Sequence, residues 1–252
     1  MGNVTFQQMI DESNNIVFFG GAGTSTDCGL PDFRGTNGLY TKKTNDPDAI
    51  RPETYLSREF LEYHPDKFFE FYKKNMIFDW AEPNVFHTKL AELENIGKLK
   101  AIITQNVDGL HQKAGSKNVI EIHGTSCSNR CTKCGKKYPN SFVIEAEGIP
   151  TCQCGGTVRP DVILYGEKLD SDRLNRAVGE IINADMLIVA GTSLTVYPAA
   201  GLVSYFEGKY LVIINKDETQ YDAYADFVSR DSVTNVFNDL IIRKIEEEPE
   251  NV

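Results

Sequence analysis

Residues 16–35 read IVFFGGAGTSTDCGLPDFRG, joining an apolar run, a glycine cluster and a charged aromatic loop within twenty residues. Residues 16–19 are β-branched and aromatic, as expected of a parallel strand buried on both faces. Gly20, Gly21 and Gly23 follow at once. Glycine at a strand-to-helix turn lets bare N–H groups approach an anion, the way a dinucleotide's pyrophosphate is held. Alone, the glycines suit an ordinary turn as well. Pro31-Asp32-Phe33-Arg34 departs from an ordinary dinucleotide fingerprint, because it sets a rigid, charged and aromatic loop beside the cofactor site. More than cofactor binding is built there.

Four further apolar runs end in polar residues or glycine: AIITQN at 101–106, VIEIHG at 119–124, LIVAGTS at 187–193 and LVIIN at 211–215. In a doubly wound parallel sheet, ligands bind outside the carboxyl ends of the strands. Gly21, Gln105, Asn106, His123, Thr192, Ser193 and Asn215 would then converge on one crevice. Helical patterns separate the runs at 85–94, at 171–182 behind a Ser or Asp cap, and at 197–206. This alternation predicts an α/β protein with a Rossmann-like parallel sheet. Two insertions interrupt it. One is a polar loop leading into an aromatic helical stretch in which Pro65 starts a new helix; the other holds most of the cysteines. The expected division is a nucleotide-binding domain over 1–34, 81–124 and 159–252, and a small domain over 35–80 and 125–158.

Of six cysteines, Cys131-x2-Cys134 is followed after seventeen residues by Cys152-x-Cys154. That spacing predicts a tetrahedral zinc site of four thiolates, closed to water and substrate and therefore structural. Cys127 adds another thiol nearby. A net charge of -10 over 252 residues disfavours a broad nucleic-acid-binding surface and is compatible with a basic peptide partner. Arg130, Lys133, Lys136 and Lys137 make the cysteine segment locally basic, which keeps a zinc-ribbon nucleic-acid module as an alternative. The opening Met-Gly-Asn-Val-Thr-Phe lacks a leader pattern, Phe6 breaks the myristoylation pattern, and no apolar run is long enough to span a bilayer. A soluble, cytoplasmic protein is expected.

His123 ends a run and precedes Gly124, where an imidazole suits a general base near neutral pH. His64, His87 and His111 are read as packed or solvated rings. Asn106 and Asp108 offer an amide and a carboxylate to a ligand, or form an Asx turn. Asn215 stands where dinucleotide-binding folds often present an acid to the adenosine ribose; a neutral amide there bonds hydroxyls with little discrimination by charge.

In order and approximate spacing, GAGTS at 21–25, GLPDFR at 29–34, TQNVD at 104–108, His123-Gly124, the paired cysteines, RPDVILYGE at 159–167, GTSL at 191–194 and Ile214-Asn215 resemble the sirtuins. The resemblance covers nearly the whole chain. It implies a zinc-containing, NAD-dependent protein-lysine deacylase of bacterial type, with acylated-lysine proteins or peptides as partners. By position, it implies that Gly21, Ala22, Gly23, Thr24, Asp32, Phe33 and Arg34 bind the cofactor, the loop lying over the nicotinamide ribose. Gln105 and Asn106 would contact the reacting ribose, with Asn106 counted as catalytic, and Asp108 the nicotinamide carboxamide. His123 matches the general base. Gly191, Thr192, Ser193 and Asn215 would hold the phosphates and adenine ribose, and Val162 and Ile163 would line an acyl-lysine tunnel.

The implied reaction consumes NAD. The acyl oxygen attacks the ribose, His123 takes a proton from a ribose hydroxyl, and the acyl group leaves on ADP-ribose. A sirtuin-like mono-ADP-ribosyltransferase would use the same pocket, but His123 favours deacylation, the route that needs a base after nicotinamide leaves. A conventional dehydrogenase would release no free nicotinamide. The chain departs from the family's usual pattern at Thr24, at Cys28 and in the tight Cys152-x-Cys154 spacing. Sirtuins that prefer acidic acyl groups carry a Tyr-x2-Arg pair; here Tyr72, placed at the substrate, is followed by Asn75 where the arginine would stand. A preference for neutral acyl groups is expected, because Arg is the residue suited to bidentate carboxylate recognition.

Overall fold

The five apolar runs all become strands. The structure, a computed structural model, describes residues 4–33, 35, 38, 40 and 50–243. Its strands are β1 (Ile16–Gly20), β2 (Leu99–Thr104), β3 (Val119–Glu121), β4 (Gly124–Cys131), β5 (Lys137–Tyr138), β6 (Val158–Val162), β7 (Met186–Ala190), β8 (Tyr210–Ile214) and β9 (Phe227–Ser229). Its α-helices are α1 (Phe6–Glu12), α2 (Pro52–Tyr55), α3 (Arg58–Tyr63), α4 (Pro65–Asn75), α5 (Val85–Asn95), α6 (Leu110–Lys113), α7 (Asn140–Glu145), α8 (Ser171–Ile182) and α9 (Val233–Asn238). The first sheet has six parallel strands in the order β3-β2-β1-β7-β8-β9.

Successive side chains on a strand face opposite ways, so each run feeds two cores. Ile16, Phe18, Ile102, Ile188 and Val212 pack on one face with Phe6, Phe86, Leu90 and Phe237 of α1, α5 and α9. Val17, Phe19, Ile103, Leu187 and Ile213 pack on the other with Ala177 and Ile181 of α8. The expected caps are present: Asp170 accepts from the Asp172 and Arg173 N–H groups and opens α8. Pro65 begins α4, where its missing N–H costs nothing. The helix expected at 197–206 is a 3-10 helix over Ala199–Tyr205. Pro198 is its N-cap residue, and Gly201, a poor α-helix former, lies within it.

A second, antiparallel sheet has the order β5-β4-β6. Phe68, Phe69 and Tyr72 of α4 share a third core with Val143 of α7, Val158 of β6, Cys131 and Cys152, so the two insertions pack on one another. Its outgoing strand, β6, runs on to Val162, past the junction expected before residue 159. Among the described residues no helix is long and apolar enough to cross a membrane.

Candidate active site

The strand order turns back between β1 and β7, the point at which open parallel sheets bind ligands. A cavity of about 1120 Å³ opens there, bordered by Gly21, Ala22, Gly23, Gln105, Asn106 and His123 at its centre. The glycine turn is closed by main-chain contacts. The Gly21 N–H donates to the Ala190 carbonyl at 3.1 Å and the Gly23 N–H to the Gly191 carbonyl at 2.9 Å. A methyl on Gly23 would stand 2.8 Å from the Gly191 Cα, and one on Gly191 would stand 2.4 Å from the Thr24 nitrogen. Gly191 also has φ 59°, so an L side chain is excluded twice over. Bare backbone therefore borders the cavity, as a diphosphate requires.

Behind that wall lies a hydroxyl network. Thr24 Oγ1 donates to the Gly21 carbonyl at 2.8 Å and accepts from Asn106 Nδ2 at 3.1 Å. Asn106 Nδ2 also donates to Ser25 Oγ at 3.1 Å, and Ser25 Oγ donates to Asp108 Oδ2 at 2.8 Å. Both amide hydrogens of Asn106 are thus used behind the cavity, which fixes the amide plane. Thr24, one of the departures from the family pattern, is buried and ties Asn106 to the glycine turn. Asp108 forms the Asx turn, its Oδ1 accepting the Leu110 N–H at 3.0 Å at the start of α6. Burial raises the Asp108 pKa, against the hydrogen bonds from Leu110 and Ser25. Neither Thr24 nor Asp108 borders the cavity. Ser25 belongs to the GAGTS stretch, but its role exists only once Asn106 and Asp108 have folded around it.

His123 sits in the tight turn between β3 and β4. Its Nδ1 is 3.1 Å from the Gln105 carbonyl oxygen, which can only accept, so Nδ1 carries the proton and Nε2 is the basic nitrogen. The His123 carbonyl accepts the Ile163 N–H at 2.9 Å, joining the imidazole's backbone to the segment after β6. Gln105 Nε2 donates to Thr192 Oγ1 at 3.0 Å across the crevice.

Thr192, Ser193 and Asn215 border the cavity, with Asp231, Ser232 and Val233, which the sequence did not single out. Ser193 Oγ lies 2.9 Å from Thr195 Oγ1, and Asn215 Nδ2 donates to the Asp217 carbonyl at 2.9 Å. Apolar side chains, Phe33, Leu56, Met76, Val107, Val162 and Leu164, also border the cavity, beside Asp32, Ile163, Tyr165, Glu167 and Lys168. Arg34 lies outside the described residues. Tyr72 is 1% exposed, stacked on Phe68 in the core of the helical insertion and absent from the cavity wall. Burial pushes its phenol pKa well up, and its hydroxyl has no hydrogen-bond partner among the described residues. Asn75 Nδ2 donates back to the Phe71 carbonyl, so Met76 is the residue of this helix end that reaches the wall.

The thiol sulfurs of Cys131, Cys134, Cys152 and Cys154 all lie within 4.8 Å of one another. The Cys131–Cys154 and Cys134–Cys152 separations are 3.4 and 3.7 Å. Zinc–sulfur bonds of about 2.3 Å in a tetrahedron need about 3.8 Å, so this donor set fits zinc with small adjustments. Cys127 is outside the cluster, its Sγ 3.5 Å from the Asp108 carbonyl.

Residues 21–198 match the model of the Sir2 family. The chain belongs to the Sir2 family. An NAD-dependent protein deacetylase of Clostridium perfringens is 52% identical over 93% of this chain and 96% of its own length. One of Staphylococcus aureus is 45% identical over 94% of this chain and 97% of its own. Among solved Sir2 structures, one bound to a propionylated peptide has a TM-score of 0.81 at 37% identity, covering 92% of this chain and 94% of that one. Another, with a p53 peptide and NAD+, has a TM-score of 0.81 at 37% identity over 94% and 96%. In this Sir2 chain the glycine turn, His123 and the apolar wall therefore share one cavity on a Sir2 framework, and the cysteine cluster lies outside that cavity's wall.

Proposed function

We propose that this chain is an NAD-dependent protein-lysine deacylase that transfers an acyl group from lysine to ADP-ribose and releases nicotinamide. The observation that carries the reading is His123, its proton held on Nδ1 by the Gln105 carbonyl, in one cavity with a bare-backbone glycine turn and a run of apolar side chains. The relatives' deacetylase names and the peptide and NAD+ in related structures agree with it. NAD, when bound, supplies a ribose with a cationic leaving group and so an acceptor for the acyl group.

The roles of the chain's own residues follow from placement. Gly21, Ala22, Gly23, Gly191, Thr192 and Ser193 receive the diphosphate, and Asn215 the adenine ribose. Asn106, its amide plane locked by Thr24 and Ser25, orients the reacting ribose, with Gln105 beside it. His123 Nε2 accepts a proton from a ribose hydroxyl, and its Nδ1 proton stays on the Gln105 carbonyl. Asp32 and Phe33 cover the nicotinamide side, and the resemblance alone assigns Arg34 to the same loop. Val162 and Ile163, with Leu56, Met76 and Leu164, hold the acyl-lysine; an apolar wall accepts the neutral acyl-lysine and disfavours a charged free lysine. Tyr72 supports this wall from behind. Cys131, Cys134, Cys152 and Cys154 hold a structural zinc, which takes no part in the chemistry. The insertions 35–80 and 125–158 act as a small domain against the nucleotide-binding body. A cysteine pattern suited to a metal rather than to disulfides, together with an intracellular co-substrate, supports a cytoplasmic location.

ADP-ribosyl transfer to protein is the second reading, and it leaves His123 without a task. Incubation with NAD and a panel of acylated peptides, with products identified by mass spectrometry, decides between them. Acyl-ADP-ribose with free nicotinamide is the expected result. Protein-bound ADP-ribose, or reduced NAD, would overturn it.

A further inference from the structure

The cysteine pairs are supported differently. In Cys131-x2-Cys134 two main-chain amides turn inward: the Lys133 and Cys134 N–H groups lie 3.4 and 3.5 Å from Cys131 Sγ. Such donors draw charge from a thiolate and matter because four thiolates around one divalent cation leave a net double negative charge. Cys152-x-Cys154 is shorter by a residue, and the amide three places on, that of Gly155, is spent on the Cys152 carbonyl at 2.8 Å. Cys152 is thus left one amide short. The hydroxyl of Tyr138 fills that place, donating to Cys152 Sγ at 3.0 Å.

Tyr138 is held for this contact from several sides. It lies on β5, opposite Asn129 of β4. Its ring packs on Phe142 of α7 at 4.2 Å between centroids, and the Lys136 ammonium lies 5.3 Å from its ring centroid. Lys133 Nζ donates to the Cys154 carbonyl at 3.3 Å, and Arg130 pairs with Asp161. Arg130, Lys133 and Lys136 are therefore engaged around the cysteine cluster and its sheet.

We infer that Tyr138 is a positioning residue of the zinc site, its hydroxyl replacing the amide donor that the Cys152-x-Cys154 spacing withholds and so slowing loss of the metal. The inference rests on the zinc reading. The tighter turn of the Cys152-x-Cys154 pair is tolerated because a side chain from a neighbouring strand supplies the missing hydrogen bond to Cys152 Sγ.

The test compares the full-length protein with Tyr138→Phe, which keeps the ring packing, and with Phe142→Ala, which disturbs the packing and keeps the hydroxyl. Zinc content, the rate of zinc transfer to a chromophoric chelator, and the thiolate-to-metal charge-transfer spectrum after cobalt replacement are measured on each. Expected are stoichiometric zinc in all three, transfer about ten-fold faster from Tyr138→Phe, the scale of losing an outer-shell partner, and a charge-transfer band shifted to lower energy in that variant alone. A merely structural tyrosine would not move the band. Transfer within about two-fold of wild type with a superimposable cobalt spectrum would overturn the role of Tyr138 while leaving the zinc site standing. Wild-type protein that holds no zinc would overturn both.

Discussion

Arg159 and Glu167 meet fork to fork, with Nη1–Oε1 at 2.5 Å and Nη2–Oε2 at 3.0 Å. The same Nη2 donates to the Val162 carbonyl at 2.7 Å, and Glu167 Oε2 accepts the Leu164 N–H at 2.8 Å. The segment bearing Val162, Ile163 and Leu164 is thus suspended from one ion pair, and this segment is the wall assigned to the acyl-lysine. Burial pushes the Glu167 carboxyl up, but the Arg159 and Leu164 hydrogen bonds outweigh it and its pKa lies below the ordinary value. The clamp is intact above the unfolded carboxylate pKa and is lost as pH falls through the lower, folded one. Glu167→Gln should raise KM for an acylated peptide about ten-fold while the affinity for NAD changes little, since one charge-assisted bond is worth about 1.5–3 kcal/mol. Steady-state kinetics with peptide and NAD varied separately checks this; an equal loss toward both would assign the pair to general stability instead.

Removing the imidazole of His123 should separate binding from chemistry. His123→Ala is expected to fold and bind NAD, with deacylation reduced by about two to four orders of magnitude, the usual scale of general base catalysis. NAD titration by calorimetry and product formation on one peptide measure the two halves. Turnover within a few fold of wild type would remove His123 from the reaction.

The cysteines should divide cleanly. Serine in place of Cys131, Cys134, Cys152 or Cys154 is expected to empty the site and melt the antiparallel sheet, because binding of a structural metal is folding energy. Cys127→Ser should keep its zinc, since that sulfur stands outside the cluster. Metal analysis of purified variants decides it, and an empty Cys127→Ser protein beside a full Cys131→Ser protein would reverse the assignment.

His87 and His111 are a buried pair, their ring centroids 4.9 Å apart between Phe18 and Phe86. Burial pulls His87 down to about 4, and burial with a smaller contribution from His87 holds His111 well below the ordinary value. The unfolded chain therefore binds protons that the folded one refuses. Stability from this pair is complete above about pH 6.5 and declines as pH falls toward 4, by about 1.4 kcal/mol per pH unit for each ring. Urea unfolding at stepped pH should show a shallower decline for His111→Phe than for wild type. Parallel declines would show that the pair does not set the acid limit.

Acyl choice should follow the wall. Leu56, Met76, Val107, Val162 and Leu164 offer no partner to a carboxylate, the Arg159 guanidinium is already paired with Glu167, and burying a carboxylate unpaired is costly. On a single peptide, kcat/KM for acetyl-lysine should exceed that for succinyl-lysine by at least about ten-fold, with butyryl-lysine accepted. Faster succinyl removal would mean that a cation of the cavity wall, such as Lys168, reaches the acyl group.

The sheet and its crevice were legible because runs such as 16–19 and 187–190 are apolar on both alternations and end in glycine or hydroxyl residues, a local pattern with one common meaning. What stayed hidden depended on contacts distant in sequence. β9 is three residues long and exists as a strand because Val212, Ile213 and Ile214 pair with it. Ser25 is an unremarkable loop hydroxyl until Asn106 and Asp108 arrive from 81 and 83 residues away. On α4 the likeness to the Tyr-x2-Arg pair puts Tyr72 at the substrate, but an aromatic helix in contact with a second core buries its large rings and leaves the helix end, Met76, to face the cavity.

Gly23 and Gly191 press main chain on main chain from two strands far apart in sequence. A side chain at either site collides with the other loop, so neither position can drift alone. Descendants that handle a differently shaped diphosphate would have to move both loops in one step. The apolar wall carries no such contact of main chain on main chain: Leu56, Met76 and Leu164 meet as side chains of one core, where a change in one can be answered by repacking of the others. Diversification of this framework is thereby channelled toward the acyl group and away from the nucleotide.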